Sequence, residues 1–179
     1  MAGRRVFPLC VTVNLSARQF RHPRLPELIA RILHETGLSS RWLELEITET
    51  IVMEDVEVTI PLLTRLVDMG IRFSIDDFGT GYSSLSYLKK FPVHKLKIDK
   101  SFIRGLPDDP DDGSIVTAVI ALAHNMNLDV VAEGWRPKNS SLFCVPGSAI
   151  RYRGSSSASR FRLRSSGSCF YRKAETCLF

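Results

Sequence analysis

Six polar residues between positions 14 and 133 are of types that can do metal or phosphate chemistry: Asn14, Glu46, Asp76, Asp77, Lys97 and Glu133. Carboxylates together with a carboxamide oxygen are hard donors, suited to Mg²⁺ or Mn²⁺ rather than to zinc or copper. Adjacent acids such as Asp76 and Asp77 repel each other unless a cation or a basic partner compensates. If the acids converge, two cations can be held, activating a water and neutralising the charge that grows on a phosphodiester. Lys97, aimed at the same place, can position that water or offset phosphate charge. Each residue also has a plain alternative: Asp-Asp is common in exposed turns, a lysine is commonly a surface charge, and strand ends are commonly polar. One such group alone reads that way; six in this arrangement do not.

The elements between these residues decide whether they can meet. Residues 11–134 alternate between short apolar strands and helix-like stretches, the pattern of a parallel α/β sheet or barrel. The run from Val11 to Ser16 is the first strand candidate. Pro26, near a helix start, leads into Leu28, Ile29, Ile32 and Leu33 on one helical face, and Gly37 provides a stop. From Trp42 to Ile47 the chain alternates, with Leu43, Leu45 and Ile47 on one face and Glu44 and Glu46 on the other. Residues 51–69 predict a helix ending at Gly70, which Pro61 must kink or start late. A third strand spans 71–76, followed by a polar, glycine-bearing loop from Asp77 to Ser86. A fourth strand spans Lys95 to Asp99. Ser114 is expected to cap a helix running to about Asn125, and Leu128 to Ala132 is the fifth strand. Asn14, Glu46, Asp76, Lys97 and Glu133 then each lie within or at the C-terminal end of a strand, where parallel barrels build their active sites.

Composition narrows the rest. A chain of 179 residues with 44% apolar and 24% charged residues reads as a globular domain with one sizeable core. No apolar run approaches the ~20 residues needed to span a bilayer, and the first ten residues are too weakly apolar for a signal peptide, so a cytoplasmic location is expected. Cys10, Cys144, Cys169 and Cys177 form no Cys-x-x-Cys pair, which argues against a zinc site or a disulfide framework. The net charge of +5 suggests nucleic acid until its distribution is considered. Residues 135–179 hold nine Lys/Arg against the single acid Glu175, whereas residues 1–134 hold 15 bases against 18 acids. The basic character belongs to a Ser/Arg-rich tail, expected to be disordered. A nucleic-acid-binding tail is a poor reading without a structured aromatic platform.

Several motifs resemble one family. The stretch Asp76-Asp-Phe-Gly-Thr-Gly-Tyr-Ser-Ser-Leu85 resembles the signature loop of EAL domains. Val13-Asn-Leu-Ser16, Glu46-Ile-Thr-Glu49, Leu96-Lys-Ile-Asp-Lys-Ser-Phe102 and Val131-Ala-Glu-Gly134 are similar to four further EAL motifs in the same order. Intervals of 32, 30, 21 and 36 residues separate Asn14, Glu46, Asp76, Lys97 and Glu133, as in that family. The resemblance covers roughly residues 7–134. It implies an α/β fold, part of a TIM-type (β/α) barrel with about five strands and intervening helices, followed by an irregular tail. It implies hydrolysis of cyclic-di-GMP to the linear dinucleotide with Mg²⁺ or Mn²⁺. Asn14, Glu46, Asp76 and Asp77 would be metal ligands, Lys97 would contact the nucleophilic water, and Glu133 would be a further acid. Glu49 would brace the loop from Asp77 to Ser86, whose Phe78, Gly79, Thr80, Gly81 and Tyr82 would face substrate and border a homodimer contact. Gly79 and Gly81 give that loop backbone freedom.

Two departures qualify the resemblance. The Glu-Ala-Leu motif that names the family, and that supplies one ligand, is expected upstream of Asn14, and the 13 residues there do not form it. From Trp135 onward the family pattern stops. With synonymous codons and one guanine lost beside Gly134, segments of the tail re-read as Val-Glu-Thr, Gln-Gly-Phe-Leu-Phe-Ser and Leu-Pro-Ala-Glu, as in the family. The expectation is therefore a partial EAL domain over 1–134, with 135–179 translated out of frame. Catalysis in such a fragment is expected to be reduced or lost. A non-catalytic cyclic-di-GMP receptor and a pseudogene product without function are the alternatives.

Overall fold

A computed structural model of the chain describes residues 10–81, 84–106 and 109–133, together with the backbone of short strands between 144 and 163. Gly134, most of the basic tail and the proposed change of frame lie outside the described residues. No helix among those described is long and apolar enough to cross a membrane.

Five parallel strands form the scaffold: β1 (Val11–Asn14), β2 (Leu43–Thr48), β3 (Arg72–Phe78), β4 (Lys95–Ile98) and β5 (Asp129–Glu133), hydrogen-bonded in that order. They are separated by α1 (Ala17–Phe20), α2 (Leu25–Thr36), α3 (Glu49–Glu54), α4 (Val56–Asp68), α5 (Leu85–Leu88), α6 (Lys100–Arg104) and α7 (Pro110–Asn125). Strand followed by helix and then by the neighbouring parallel strand is the repeat from which a TIM-type barrel is wound. Of the three short strands beyond, β6 (Cys144–Val145) pairs with β7 (Ser148–Ala149). The last, β8 (Arg160–Leu163), pairs antiparallel with β5, so the tail is not irregular throughout and adds a strand of opposite sense to the sheet.

The pleat gives the sheet two unlike faces. Val13, Leu45, Ile47, Phe73, Ile75, Leu96, Ile98 and Val130 pack in the core with Leu63 and Leu66 of α4 and Val116, Ile120 and Ala123 of α7. Alternate residues carry the polar set: Thr12, Glu44, Glu46, Ser74, Lys95 and Lys97, all of them buried. The alternation in β2 therefore does not mark a solvated face. Its glutamates share one face with the lysines of β4 and are buried in contact with them.

Helix boundaries follow their caps. Ser16 and Gln19 form a capping box, the Gln19 amide donating to Ser16 Oγ at 3.3 Å and the Ser16 amide to Gln19 Oε1 at 3.0 Å. Gly37, at φ 67°, closes α2 as the spacing predicts. Two predicted boundaries move. The break in the 51–69 stretch falls at Asp55, which accepts the Val58 amide at 3.3 Å, and Pro61 lies inside α4. Helix α7 starts four residues before Ser114, capped by Asp109, which accepts the amides of Asp111 and Asp112. Ser114 instead bonds back to the Pro110 carbonyl.

Candidate functional site

Parallel register places the predicted residues at one end of the sheet. Asn14 is opposite Glu46, Glu46 opposite Ser74, and Thr48 opposite Asp76. Leu96 is opposite Ile75, which sets Lys97 beside Asp76 on the next strand. Lys97 is also opposite Val131, two residues before Glu133 at the end of β5. All these positions are at or near strand C-termini, the end at which parallel barrels build their active sites.

Three of the side chains are in contact. The Lys97 ammonium lies 2.9 Å from Glu46 Oε2 and 2.8 Å from Asp76 Oδ2, with the Lys97 and Glu46 side chains 3% and 1% exposed. The Glu46 oxygen meets the ammonium as an ion pair rather than along a hydrogen-bond direction. Asn14 shares the level of Glu46 but is exposed, on the strand that has a neighbour on one side only among the described residues. The Glu133 side chain and Tyr82 lie outside the described residues. No three His, Cys, Asp or Glu side chains among those described converge closely enough to hold a metal ion. What brings Glu46 and Asp76 together is the chain's own cation. The donors around it are carboxylate oxygens, a chemistry that fits a hard divalent ion.

The Asp76–Asp77 step is a sharp corner. Asp77 has φ 53°, the β3–β4 register shifts just there, and Asp76 Oδ1 accepts the Asp77 amide at 3.0 Å. The two adjacent carboxylates consequently face different surroundings. Burial, the charge of Asp76 and a hydrogen bond with Asp99 all push the Asp77 carboxyl above its ordinary pKa. Burial also raises Asp99, but hydrogen bonds from Ser101, Asp77 and the Lys100 amide outweigh it and hold Asp99 below the usual carboxylate range.

Beyond the corner the loop is held by Glu49. Buried at the start of α3, Glu49 accepts the Gly79 amide at 2.9 Å, and Thr80 Oγ1 donates to the Asp77 carbonyl at 2.9 Å. Glycine has a reason at two positions. Gly79 has φ 100°, and a Cβ on Gly81 would lie 2.9 Å from Glu49 Oε1. Phe78 corrects one expectation: it is the last residue of β3 and packs into the apolar core instead of facing the mouth.

The profile of the EAL domain matches residues 2–135. The chain belongs to the EAL domain family. Relatives of this EAL chain include the signaling protein YkoW of Bacillus subtilis, 48% identical over 128 residues that make up 72% of this chain and 16% of YkoW. MucR of Pseudomonas aeruginosa, a bifunctional diguanylate cyclase/cyclic di-GMP phosphodiesterase, is 48% identical over 69% of this chain and 18% of its own. The solved MucR phosphodiesterase in complex with c-di-GMP superposes with TM-score 0.70 at 46% identity, covering 72% of this chain and 52% of that one. BlrP1 of Klebsiella pneumoniae, solved with manganese and cyclic-di-GMP, superposes with TM-score 0.65 at 30% identity, over 71% of this chain and 33% of that one. The EAL chain thus spans under a fifth of these two curated relatives and about half of the solved MucR chain.

Two features of the EAL site escape a reading by strand ends alone. Asp99 lies one residue beyond β4, as the N-cap of α6, and its partnership with Asp77 depends on the corner at φ 53°. The pair formed by Glu44 and Lys95 escapes it because both residues precede the strand ends, and alternation alone does not tell that their face is buried.

Proposed function

We propose that this chain carries part of a metal-dependent site that hydrolyses cyclic-di-GMP to linear pGpG, with turnover reduced or lost in the chain as it stands. The supporting observation is the Lys97 ammonium held between Glu46 and Asp76 at the C-terminal mouth of a parallel sheet. The c-di-GMP complex of MucR and the manganese complex of BlrP1 support the same assignment of substrate and ion class.

Asn14, Glu46, Asp76 and Asp77 would hold Mg²⁺ or Mn²⁺, which when bound activates water and offsets phosphate charge. Lys97 orients the attacking water and keeps positive charge beside the phosphate. The water oxygen bonds to phosphorus, the ester bond to the 3′ oxygen breaks, and that oxygen leaves with a proton. Glu133 is a further acid at the same mouth. Glu49 fixes the loop that covers substrate through the Gly79 amide. Exposed Leu85 and Tyr87, on the helix that follows this loop, are suited to a contact between two copies.

Impaired turnover is inferred from Asn14, a proposed ligand that is open to water although it is level with the buried Glu46.

The test is incubation of the purified full chain with cyclic-di-GMP and Mg²⁺ or Mn²⁺, products separated by chromatography, beside calorimetric titration of the same ligand. Binding with slow or no pGpG release is the expected result. Turnover equal to that of an intact EAL domain would defeat the claim of impairment, and absence of both binding and turnover would defeat the site.

A further inference from the structure

A second ion pair lies beneath the first. Lys95 Nζ is 2.6 Å from Glu44 Oε2 and is also bonded to Oε1, with the two side chains 5% and 2% exposed. Burying two charges costs several kcal/mol for each ion, and apolar residues of the same volume often fill such a site with equal or better stability. Filling space does not explain this pair.

Its placement does. Glu44 precedes Glu46 by two residues on β2, Lys95 precedes Lys97 by two on β4, and all four side chains share one face of the sheet. Both lysines reach across β3 to β2. Lys95 is level with Ser74, which is level with Glu46, yet Lys95 bonds to Glu44, one pleat earlier. Lys97 makes the same diagonal step to Glu46. On β3 the residue level with Lys95 is the small, fully buried Ser74, and Glu44 is level with Arg72. Two residues of strand span a fixed ~6.6 Å, so locking β2 to β4 at the lower level fixes their separation and slide at the upper one.

We propose that Glu44 and Lys95 are positioning residues: their pair sets the spacing of Glu46 from Lys97, and with it the geometry in which Glu46 and Asp76 would meet a divalent cation. This rests on the reading of the site given under Proposed function. Groups that orient ligands from behind commonly account for about 10–100-fold in metal affinity.

The experiment uses the full chain with Mn²⁺ as probe, titrated calorimetrically, and thermal unfolding recorded without metal. Mn²⁺ binding by the parent chain tests the underlying reading, and a parent that shows no saturable binding overturns that reading directly. Given parent binding, the variant Glu44→Leu/Lys95→Met is expected to keep its unfolding midpoint within about 5 °C. It is expected to lose roughly tenfold or more in Mn²⁺ affinity. Unchanged affinity in the folded double variant overturns the proposal. Should that variant not fold, Glu44→Asp keeps both charges and shortens the brace by one methylene. A severalfold loss of affinity is then expected, and an unchanged Mn²⁺ titration again overturns the assignment.

Discussion

The Lys97 ammonium stands 2.9 Å from Glu46 with both side chains almost wholly removed from water, and the same ammonium is 2.8 Å from Asp76. It neutralises two carboxylates that would otherwise face each other in a poorly solvated space. Lys97→Met should therefore destabilise the chain by about 3–5 kcal/mol, the usual result of removing one partner from a buried pair. The same change leaves the carboxylates as an uncompensated cation site. Mn²⁺ should raise the unfolding midpoint of the variant more than that of the parent, by ligand linkage. A variant that Mn²⁺ stabilises no more than the parent would show that these carboxylates do not take up the ion.

The loop offers a local test. Glu49 accepts the Gly79 amide from a buried position on another element. In Glu49→Ala the Gly79 amide loses its acceptor; Gly79 is exposed, so water can take its place and the cost is about 0.5–1.5 kcal/mol. Amide hydrogen exchange at Gly79 should accelerate while amides of the β3 core, such as Phe73 and Ile75, keep their protection. Equal acceleration at Phe73 would mean that Glu49 supports the whole sheet rather than the loop.

How much of this was legible beforehand divides along physical lines. The strands were, because β2, β3 and β4 alternate apolar and polar residues in a way that only a pleated, half-apolar surface uses. So was the convergence of Glu46, Asp76 and Lys97, since parallel order puts their strand ends on one side. The depth of Glu44 and Lys95 was not, because alternation tells which face a residue is on but not whether that face is covered. Asp77 and Asp99 could not be paired from sequence, as the contact needs a left-handed residue in a non-glycine position. The antiparallel arrival of β8 on β5 lies in a stretch with no period to read.

His94 should give stability a pH dependence. Half-buried just before β4, it receives the Phe73 amide on Nδ1 at 3.3 Å, which requires that nitrogen to be unprotonated. Burial, then the charges of Arg72 and Lys95, lower its pKa from 6.5, against the opposite pull of Glu44 and Asp129. With the folded value below the unfolded one, the unfolded chain takes up the proton first as pH falls. His94's contribution is then complete above about pH 6.5. It is lost as pH drops through the lower folded value and changes no further beneath it. Denaturant titrations between about pH 7.5 and 5 should show this loss in the parent and a flatter profile in His94→Gln. An identical slope in both chains would assign the effect to other groups.

Asp55 and Pro61 should respond to alanine with opposite signs. Proline inside a helix removes one amide and crowds the carbonyl four residues earlier, here that of Glu57, at a cost of about 3 kcal/mol. Its stiffness in the unfolded chain returns about 0.4–1 kcal/mol of that. Helix α4 nevertheless runs through Pro61, because Thr59, Leu63 and Leu66 on either side are buried against the sheet and hold the turn. Pro61→Ala should then stabilise the chain by about 2 kcal/mol without moving the ends of α4. Asp55 is where the chain actually breaks between α3 and α4, and its carboxylate accepts the Val58 amide. Asp55→Ala should cost about 1 kcal/mol, the usual loss of an N-cap. Urea midpoints at constant slope measure both changes. If Pro61→Ala lowered the midpoint, the proline would be fixing the path of α4 through the unfolded state's restriction more than it strains the helix.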